Sequence, residues 1–152
     1  MNQRAVNTNI DMLDREGCLA LLGADETGRL AIIDGTRPVI FPVNYVLDGE
    51  DIVFRTAPGT KLDHGPRAAV CFEIDAFDRS HRAGWSVVVS GRLEEVTEYN
   101  AERFAHMSAL PIDPWASGAK EHIMRLVASS ITGRRVGGSP PRGAGGAASG
   151  SA

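Results

Sequence analysis

Two Asp-Gly pairs separate three apolar runs in the first part of the chain. The first run, Gly28–Ile33, ends at Asp34-Gly35, and the second, Pro38–Leu47, ends at Asp48-Gly49 before a third run over 51–56. Apolar and polar residues alternate through the second run with a period of two, which is typical of a half-buried strand. Asp-Gly between such runs is a strong hairpin signal, because a tight type I′ turn needs residues that tolerate positive φ. This part of the chain therefore predicts an antiparallel meander.

The remaining sequence adds three strand-like runs and two helical ones. Strands are predicted over Ala68–Ile74, Trp85–Val96 and His122–Ala128, and helices over residues 10–22 and Glu98–Met107. A further short helix, Thr60–His64, is predicted from its capping-box spacing. Six strands with little helix between them favour a mainly β protein, built as a closed, six-stranded antiparallel barrel, over a parallel βαβ fold.

Composition indicates one globular domain followed by a tail. The chain has 152 residues, 43% of them apolar, which is enough for a proper core. Every residue from Gly137 to Ala152 except Arg142 is Gly, Ala, Ser or Pro. We therefore expect a disordered tail over residues 137–152 after a folded domain over residues 1–136. The net charge of −3 offers no general basic surface for nucleic acid, and no apolar run reaches the roughly 18 residues that suggest a membrane span.

The cysteines and histidines suggest neither a metal site nor a hydrolase. Cys18 and Cys71 are far apart within apolar runs, which favours reduced core thiols in a cytoplasmic protein over a disulfide. The four histidines show no paired ligand spacing, so no metal site is predicted. The run Gly-Trp-Ser-Val-Val beginning at Gly84 lacks the second glycine of a nucleophile elbow. No catalytic acid, base or nucleophile is therefore assigned.

The end of the third apolar run has the residues of a phosphate site. Arg55 and Thr56 precede a Pro-Gly turn, and Thr60 and Lys61 follow it. Arginine offers a planar fork of donors and lysine a point charge, and hydroxyls and helix N-terminal N–H groups add further donors. The alternative is a pair of solvated surface charges, with Thr60 serving only as a helix cap. We interpret these residues as a site for the phosphate of a cofactor.

Six short segments, taken in order, resemble the pyridoxamine 5′-phosphate oxidase-like, FMN-binding split-barrel family, in particular its small actinobacterial-type members. The resemblance runs from about residue 10 to 135 and covers the predicted folded domain. The segments are Gly-Arg-Leu-Ala (28–31), Pro-Val-Asn-Tyr (42–45), Phe-Arg-Thr-Ala-Pro-Gly-Thr-Lys-Leu (54–62), Ala-Val-Cys-Phe-Glu-Ile-Asp (69–75), Gly-Trp-Ser-Val-Val-Val-Ser-Gly (84–91) and Ile-Thr-Gly-Arg-Arg (131–135).

This resemblance implies a homodimer with two flavin sites at the subunit interface. It assigns the cofactor phosphate to four residues around the turn, Arg55, Thr56, Thr60 and Lys61. It places five more residues beside the flavin ring, namely Pro42, Val43, Asn44, Trp85 and Ser86. A proline inside a strand independently predicts an edge, a bulge or a ligand-facing stretch at residue 42. For Trp85, a purely core position is the alternative.

The activity implied by the resemblance is that of an FMN-dependent oxidoreductase, transferring hydride to or from a small conjugated substrate. Two alternatives stay open. A deazaflavin-dependent reductase would need a longer basic groove, to which Arg67 or Arg134 would contribute. A non-catalytic module that binds or stores flavin would use the same pocket. Trp115 and the Arg134-Arg135 pair receive no role from the sequence.

Overall fold

The computed structural model describes residues 10–57, 69–115, 118 and 122–137. Seven strands and two helices lie within these residues. In chain order they are β1 (Ile10–Leu13), α1 (Arg15–Ala24), β2 (Thr27–Asp34), β3 (Arg37–Asp48), β4 (Asp51–Thr56), β5 (Ala69–Asp78), β6 (Ala83–Val96), α2 (Ala101–Ser108) and β7 (His122–Val136). Neither of these helices has the length and apolar character needed to cross a membrane.

The strands form one antiparallel sheet that closes on itself. Its order is β1-β7-β4-β3-β2-β5-β6, and β6 also pairs with β7, so that β2 to β7 form a complete ring. Closure leaves few exposed strand edges, which is the usual solution for a protein made almost entirely of strands. The predicted six-stranded antiparallel barrel is confirmed, and β1 adds a seventh strand at one end of β7.

The predicted meander is confirmed by β2, β3 and β4. Gly35 and Gly49 have φ values of 63° and 64°, and each is the first of the two residues between the paired strand ends, where a tight hairpin turn needs positive φ. Pro42 lies in the half of β3 that pairs with β2 alone among the described strands, because pairing with β4 begins only at Tyr45. Of the three alternatives predicted from this proline, an edge, a bulge or a ligand-facing stretch, the described strands show an edge.

The opening helix begins later than the predicted residue 10, and a strand precedes it. Residues Ile10–Leu13 form β1, which pairs with the end of β7 from Val136 to Gly133. The helix begins only at Arg15, because the Asp14 carboxylate caps it by accepting a hydrogen bond from the Gly17 N–H at 2.7 Å. Similarly, α2 begins at Ala101 rather than residue 98, since Asn100 Oδ1 accepts from Arg103 N at 3.1 Å.

Replacing Asp14 by alanine tests this helix start. We expect Asp14→Ala to lower the free energy of unfolding by about 1 kcal/mol, because an N–H group at the N-terminus of α1 loses its acceptor. Urea denaturation followed by circular dichroism measures the change. Asp11→Ala is the matched control, since Asp11 is an exposed carboxylate on β1. Equal effects of the two substitutions would contradict the capping role.

Two apolar clusters hold the barrel together. The larger fills the interior and includes Leu30, Phe54 and Phe72, while a smaller one packs α2 through Met107 onto the outside of the barrel, where Val53 lies. Tyr45 joins α1 to the interior, because its hydroxyl donates to the Leu22 carbonyl at 2.6 Å. The packing of Met107 against Val53 fixes helix α2 over the outer face of β4.

Of the two cysteines predicted to be core thiols, one is in the core. Cys18 is fully buried beside Gly133, and burial raises the pKa of its thiol. Cys71 is exposed, because it follows Val70 on β5 and alternation turns it to the outside of the barrel. Both are free thiols, as predicted. The predicted helix Thr60–His64 and the tail beyond Gly137 lie outside the described residues.

Candidate functional site

Thr56 closes β4 with an unsatisfied hydroxyl. Its side chain follows Ile52 and Phe54 on the face of β4 that points into the barrel, and only 6% of the residue is exposed. Oγ1 is buried and finds no hydrogen-bond partner among the described residues. A buried polar group left unpaired costs about 1–3 kcal/mol. Within the described part of the chain, the Thr56 hydroxyl therefore has an unused hydrogen-bond donor.

Arg55 points to the opposite face of the same strand. It follows Val53 on the side covered by α2, and its Nη2 donates to the Ser108 carbonyl at 2.9 Å. Ser108 is the last residue of α2, where carbonyl groups lack partners within the helix. A guanidinium carries five N–H donors, so this bond does not exhaust its capacity. Arg55 anchors α2 and retains donors for an anion at the strand end.

Asn44 holds the chain that follows α2. Its Oδ1 accepts from the Trp115 backbone N–H at 2.9 Å, and its Nδ2 donates to Thr27 Oγ1 at 3.1 Å. Asn44 and Arg55 therefore fix the two ends of the segment 108–115 beside β3 and β4. Of the two residues before Asn44, Val43 is half-buried against the main core and Pro42 is exposed.

The structure brings the β3 and β4 residues to one end of their hairpin. Tyr45 pairs with Phe54, so Asn44 and Arg55 are the next residues along the two strands. On the far side of β4, Thr56 pairs with His122, the first residue of β7. His122 Nδ1 in turn contacts Glu95 Oε1 of β6. Sequence reasoning missed His122 and Glu95, because only the pairing of distant strands brings them to Thr56.

Trp85 and Ser86 lie elsewhere in the chain. They pair with Arg135 and Arg134, near the far end of β7 from His122. That strand has 15 residues and a contour of about 50 Å at roughly 3.3 Å per residue. A single chain therefore gathers the predicted residues into two groups, one at each end of β7. Thr60 and Lys61 lie outside the described residues, and their role stays a prediction.

Trp85 is both a core residue and the wall of a groove. It is half-buried and packs against the main cluster, as the core alternative predicted. It also lines a groove of about 350 Å³ at the tip of the β5–β6 hairpin, together with Phe77, Gly84, Arg135 and Val136. The predicted β5 ended at Ile74, so Phe77 was missed. The actual strand continues to Asp78 and carries Phe77 to the groove.

Known proteins match this chain over nearly all of the residues that form the barrel. The family model of pyridoxamine 5′-phosphate oxidase matches residues 14–135. Rv0080 of Mycobacterium tuberculosis, a protein of uncharacterized function, is 30% identical over 130 residues, which are 82% of this chain and 84% of that protein.

Solved structures also resemble this chain over most of its length. The FAD binding protein from Mycobacterium smegmatis is 33% identical with a TM-score of 0.73, and the alignment covers 85% of this chain and all of that one. DIP1874 from Corynebacterium diphtheriae, a conserved protein of unknown function, is 32% identical with a TM-score of 0.70, covering 84% of this chain and 98% of that chain. All nine predicted site residues lie within the range of the family match.

Proposed function

Because the chain belongs to the pyridoxamine 5′-phosphate oxidase family, we propose that it binds a flavin and uses it as an oxidoreductase on a small conjugated molecule. Two comparisons support this proposal, namely the family match over residues 14–135 and the likeness to a mycobacterial protein described as FAD binding. The cofactor is FMN or a flavin that contains the same phosphate, such as FAD.

The observation that carries the proposal is the buried, unpaired hydroxyl of Thr56. A phosphate oxygen of the cofactor would accept its hydrogen bond and remove the cost of leaving it unpaired. Arg55 would add a charge-assisted bond through its remaining N–H groups, as would Thr60 and Lys61 in the turn that follows. Donors of these types suit a phosphate dianion.

The flavin site needs two copies of the chain. Trp85 and Ser86 are remote from Thr56 along β7, so a second subunit would bring its own pair to the ring. Exposed apolar residues on the outer face of the barrel support such a homodimer, because Ile33 and Ile40 are both largely exposed on neighbouring strands. Sedimentation equilibrium is expected to give the mass of a dimer, and a monomer mass would contradict it.

The protein's part in the chemistry is to bind, orient and shield. A bound flavin supplies hydride transfer, so the chain needs no acid or base of its own. Pro42, Val43 and Asn44 would lie along the ring, with Asn44 held by Thr27 and the Trp115 backbone. These three residues of β3 do not pair with β4, so their backbone groups on that side would be available to hydrogen-bond the polar edge of the ring.

The function is tested by titration and by anaerobic reduction. Purified protein is titrated with FMN, FAD and a deazaflavin cofactor, and the flavin-loaded protein is then mixed anaerobically with NADH or NADPH. We expect flavin binding and bleaching of the flavin absorbance. Binding without bleaching by any donor would indicate a storage module instead, and binding of the deazaflavin alone would refute the proposal. A cytoplasmic location stays a prediction.

Replacing Thr56 by valine separates the cofactor role from a structural one. In the cofactor-free protein we expect Thr56→Val to raise the free energy of unfolding by about 1 kcal/mol, because valine keeps the shape and removes an unpaired hydroxyl. The same change is expected to weaken FMN binding by about 1.5–3 kcal/mol, since a hydrogen bond to a charged group is lost. Urea denaturation and calorimetric titration measure the two effects.

Thr132→Val is the matched control for this substitution, because Thr132 is exposed on β7. We expect the control to change neither quantity by more than about 0.5 kcal/mol. Loss of stability on Thr56→Val together with unchanged FMN affinity would show that the hydroxyl serves the fold rather than a ligand.

A further inference from the structure

Trp115 is held by its backbone while its indole stays exposed. The Trp115 N–H donates to Asn44 Oδ1 at 2.9 Å, and Asn44 is itself fixed because its Nδ2 donates to Thr27 Oγ1 at 3.1 Å. Yet 71% of Trp115 is exposed, which makes it one of the most exposed large apolar residues in the described part of the chain. The fold therefore fixes this residue without burying its side chain.

The segment that leads to Trp115 has little conformational freedom. Leu110 and Ile112 pack against the smaller apolar cluster on the outside of the barrel. Pro111 and Pro114 each restrict one φ angle to about −65°. A ligand that contacts Trp115 therefore does not have to order a flexible loop, and preorganisation of this kind favours binding.

Asn44 places Trp115 on one side of the free edge of β3. The Tyr45 N–H bonds to the Glu26 carbonyl on the β2 side, so the backbone groups of Asn44 point the other way, where pairing with β4 has not yet begun among the described strands. Because the Tyr45 side chain is buried in the barrel, that of Asn44 is directed to the outer face. A flat ring bonded to the Asn44 backbone would extend the plane of the sheet, with the Trp115 backbone on the outer side of that plane.

The outer side of this plane is the side open to a further ligand. On the inner side, Val43 packs against the main core, so that side belongs to the barrel interior. On the outer side, the guanidinium of Arg29 on β2 is already paired with Glu73 and Asp75, at 2.8 and 2.6 Å. Two carboxylates on one guanidinium leave Arg29 no spare positive charge for an anionic ligand. An uncharged flat ring suits the exposed indole better.

We propose that Trp115 is a specificity-determining residue of the flavin site, and that its indole stacks on an uncharged planar acceptor, such as a quinone, that lies over the outer face of the flavin ring. The proposal rests on the proposed flavin-binding function and narrows its small conjugated substrate to this class. Hydride transfer needs the acceptor to lie against one face of the flavin in a fixed orientation. An acceptor held between the flavin and the indole meets that requirement.

Reoxidation of the reduced flavin by menadione, an uncharged flat quinone, tests the proposal. Protein loaded with FMN or FAD is reduced photochemically without oxygen and mixed with increasing menadione in a stopped-flow instrument. The quinone takes two electrons and a proton from the reduced flavin as hydride and a second proton from water, so it leaves as the hydroquinone and the flavin is reoxidised. Trp115→Ala is expected to raise the half-saturating menadione concentration about tenfold, because one stacked ring is lost, while the limiting rate and the Kd for the flavin stay largely unchanged.

Three further variants show whether the aromatic ring and its anchor are what matter. Trp115→Phe keeps a ring and is expected to restore most of the menadione affinity. Asn44→Ala removes the acceptor for the Trp115 N–H and is expected to raise the half-saturating concentration as well; adding it to Trp115→Ala is expected to have no further effect, because both changes act on the same contact. Tyr99→Ala removes a fully exposed ring elsewhere and is expected to behave as the native protein does. Circular dichroism verifies that each variant is folded.

The outcomes that contradict the proposal are distinct. Equal menadione saturation in the native protein and in Trp115→Ala, with flavin bound and reoxidised in both, would refute the role of Trp115 and leave the proposed function intact. A weaker flavin Kd in Trp115→Ala with unchanged menadione saturation would place the indole against the flavin itself. A monomer mass for Trp115→Ala beside a native dimer would assign Trp115 to the subunit interface. A native protein that binds no flavin would refute the proposed function and this proposal together.

Discussion

Replacing Arg55 and Lys61 together by alanine is expected to weaken FMN binding by about 3–6 kcal/mol, since each charge-assisted hydrogen bond contributes about 1.5–3 kcal/mol. Arg55 stands at the end of β4 with N–H groups beyond the one bound to Ser108. Lys61 follows the Pro-Gly turn in the sequence. Calorimetric titration with FMN measures the loss.

Single variants separate anion binding from the anchoring of α2. Arg55→Ala also removes the hydrogen bond to the Ser108 carbonyl and is expected to lower stability slightly, whereas Lys61→Ala is expected to reduce FMN affinity alone. The matched control is the double change Arg79→Ala and Arg92→Ala, which removes two exposed arginines from other parts of the barrel. An FMN affinity equal to that of the native protein in the Arg55 and Lys61 double variant would refute the phosphate site.

Replacing Phe54 by alanine is expected to lower the free energy of unfolding by about 3–5 kcal/mol. Phe54 is fully buried, and its cross-strand neighbours are Tyr45 on one side and Met124 on the other. Truncation therefore opens a cavity where β3, β4 and β7 meet, immediately before the candidate phosphate residues. Urea denaturation of the cofactor-free protein measures the loss of stability.

Tyr99→Ala is the control for this prediction, because it removes an aromatic ring that is fully exposed. We expect it to change stability by less than about 0.5 kcal/mol. A loss on Phe54→Ala no larger than that of the control would contradict the placement of Phe54 at the centre of the barrel.

The meander was predictable because its signals are local. Alternation over two residues and Asp-Gly turns are readable within a dozen residues, and β4 was predicted with the bounds it has, Asp51–Thr56. The pairing of Ile10–Leu13 with the far end of β7 was not predictable from local spacing. An apolar run of that length is compatible with a strand or a helix, and a distant strand decides between them.

The candidate site was predictable in its residues and less so in its geometry. Arg55 and Thr56 stand side by side in the sequence, yet alternation turns their side chains to opposite faces of β4, one beneath α2 and one into the barrel. Asn44 was predicted beside the flavin ring, and the structure adds its role in holding Trp115. Contacts of this kind join residues far apart in the chain, so no local sequence pattern predicts them.

The groove at Phe77 was missed for a related reason. The predicted strand ended at Ile74, whereas pairing with β6 continues as far as Asp78 opposite Ala83. Pairing with a long neighbour supports a strand through residues that would not favour one alone. The Arg134-Arg135 pair received no role from the sequence, and the pairing of β6 with β7 places Arg135 opposite Trp85 in the lining of this groove.

Mass spectrometry of the small molecule released from the purified protein tests the central claim most directly. The protein is incubated with equal amounts of FMN, FAD and a deazaflavin cofactor, separated from unbound ligand by gel filtration, and then denatured. We expect FMN or FAD to be released at about one molecule per chain. Release of the deazaflavin alone, or of no flavin, would contradict the proposal that the end of β4 holds a flavin phosphate.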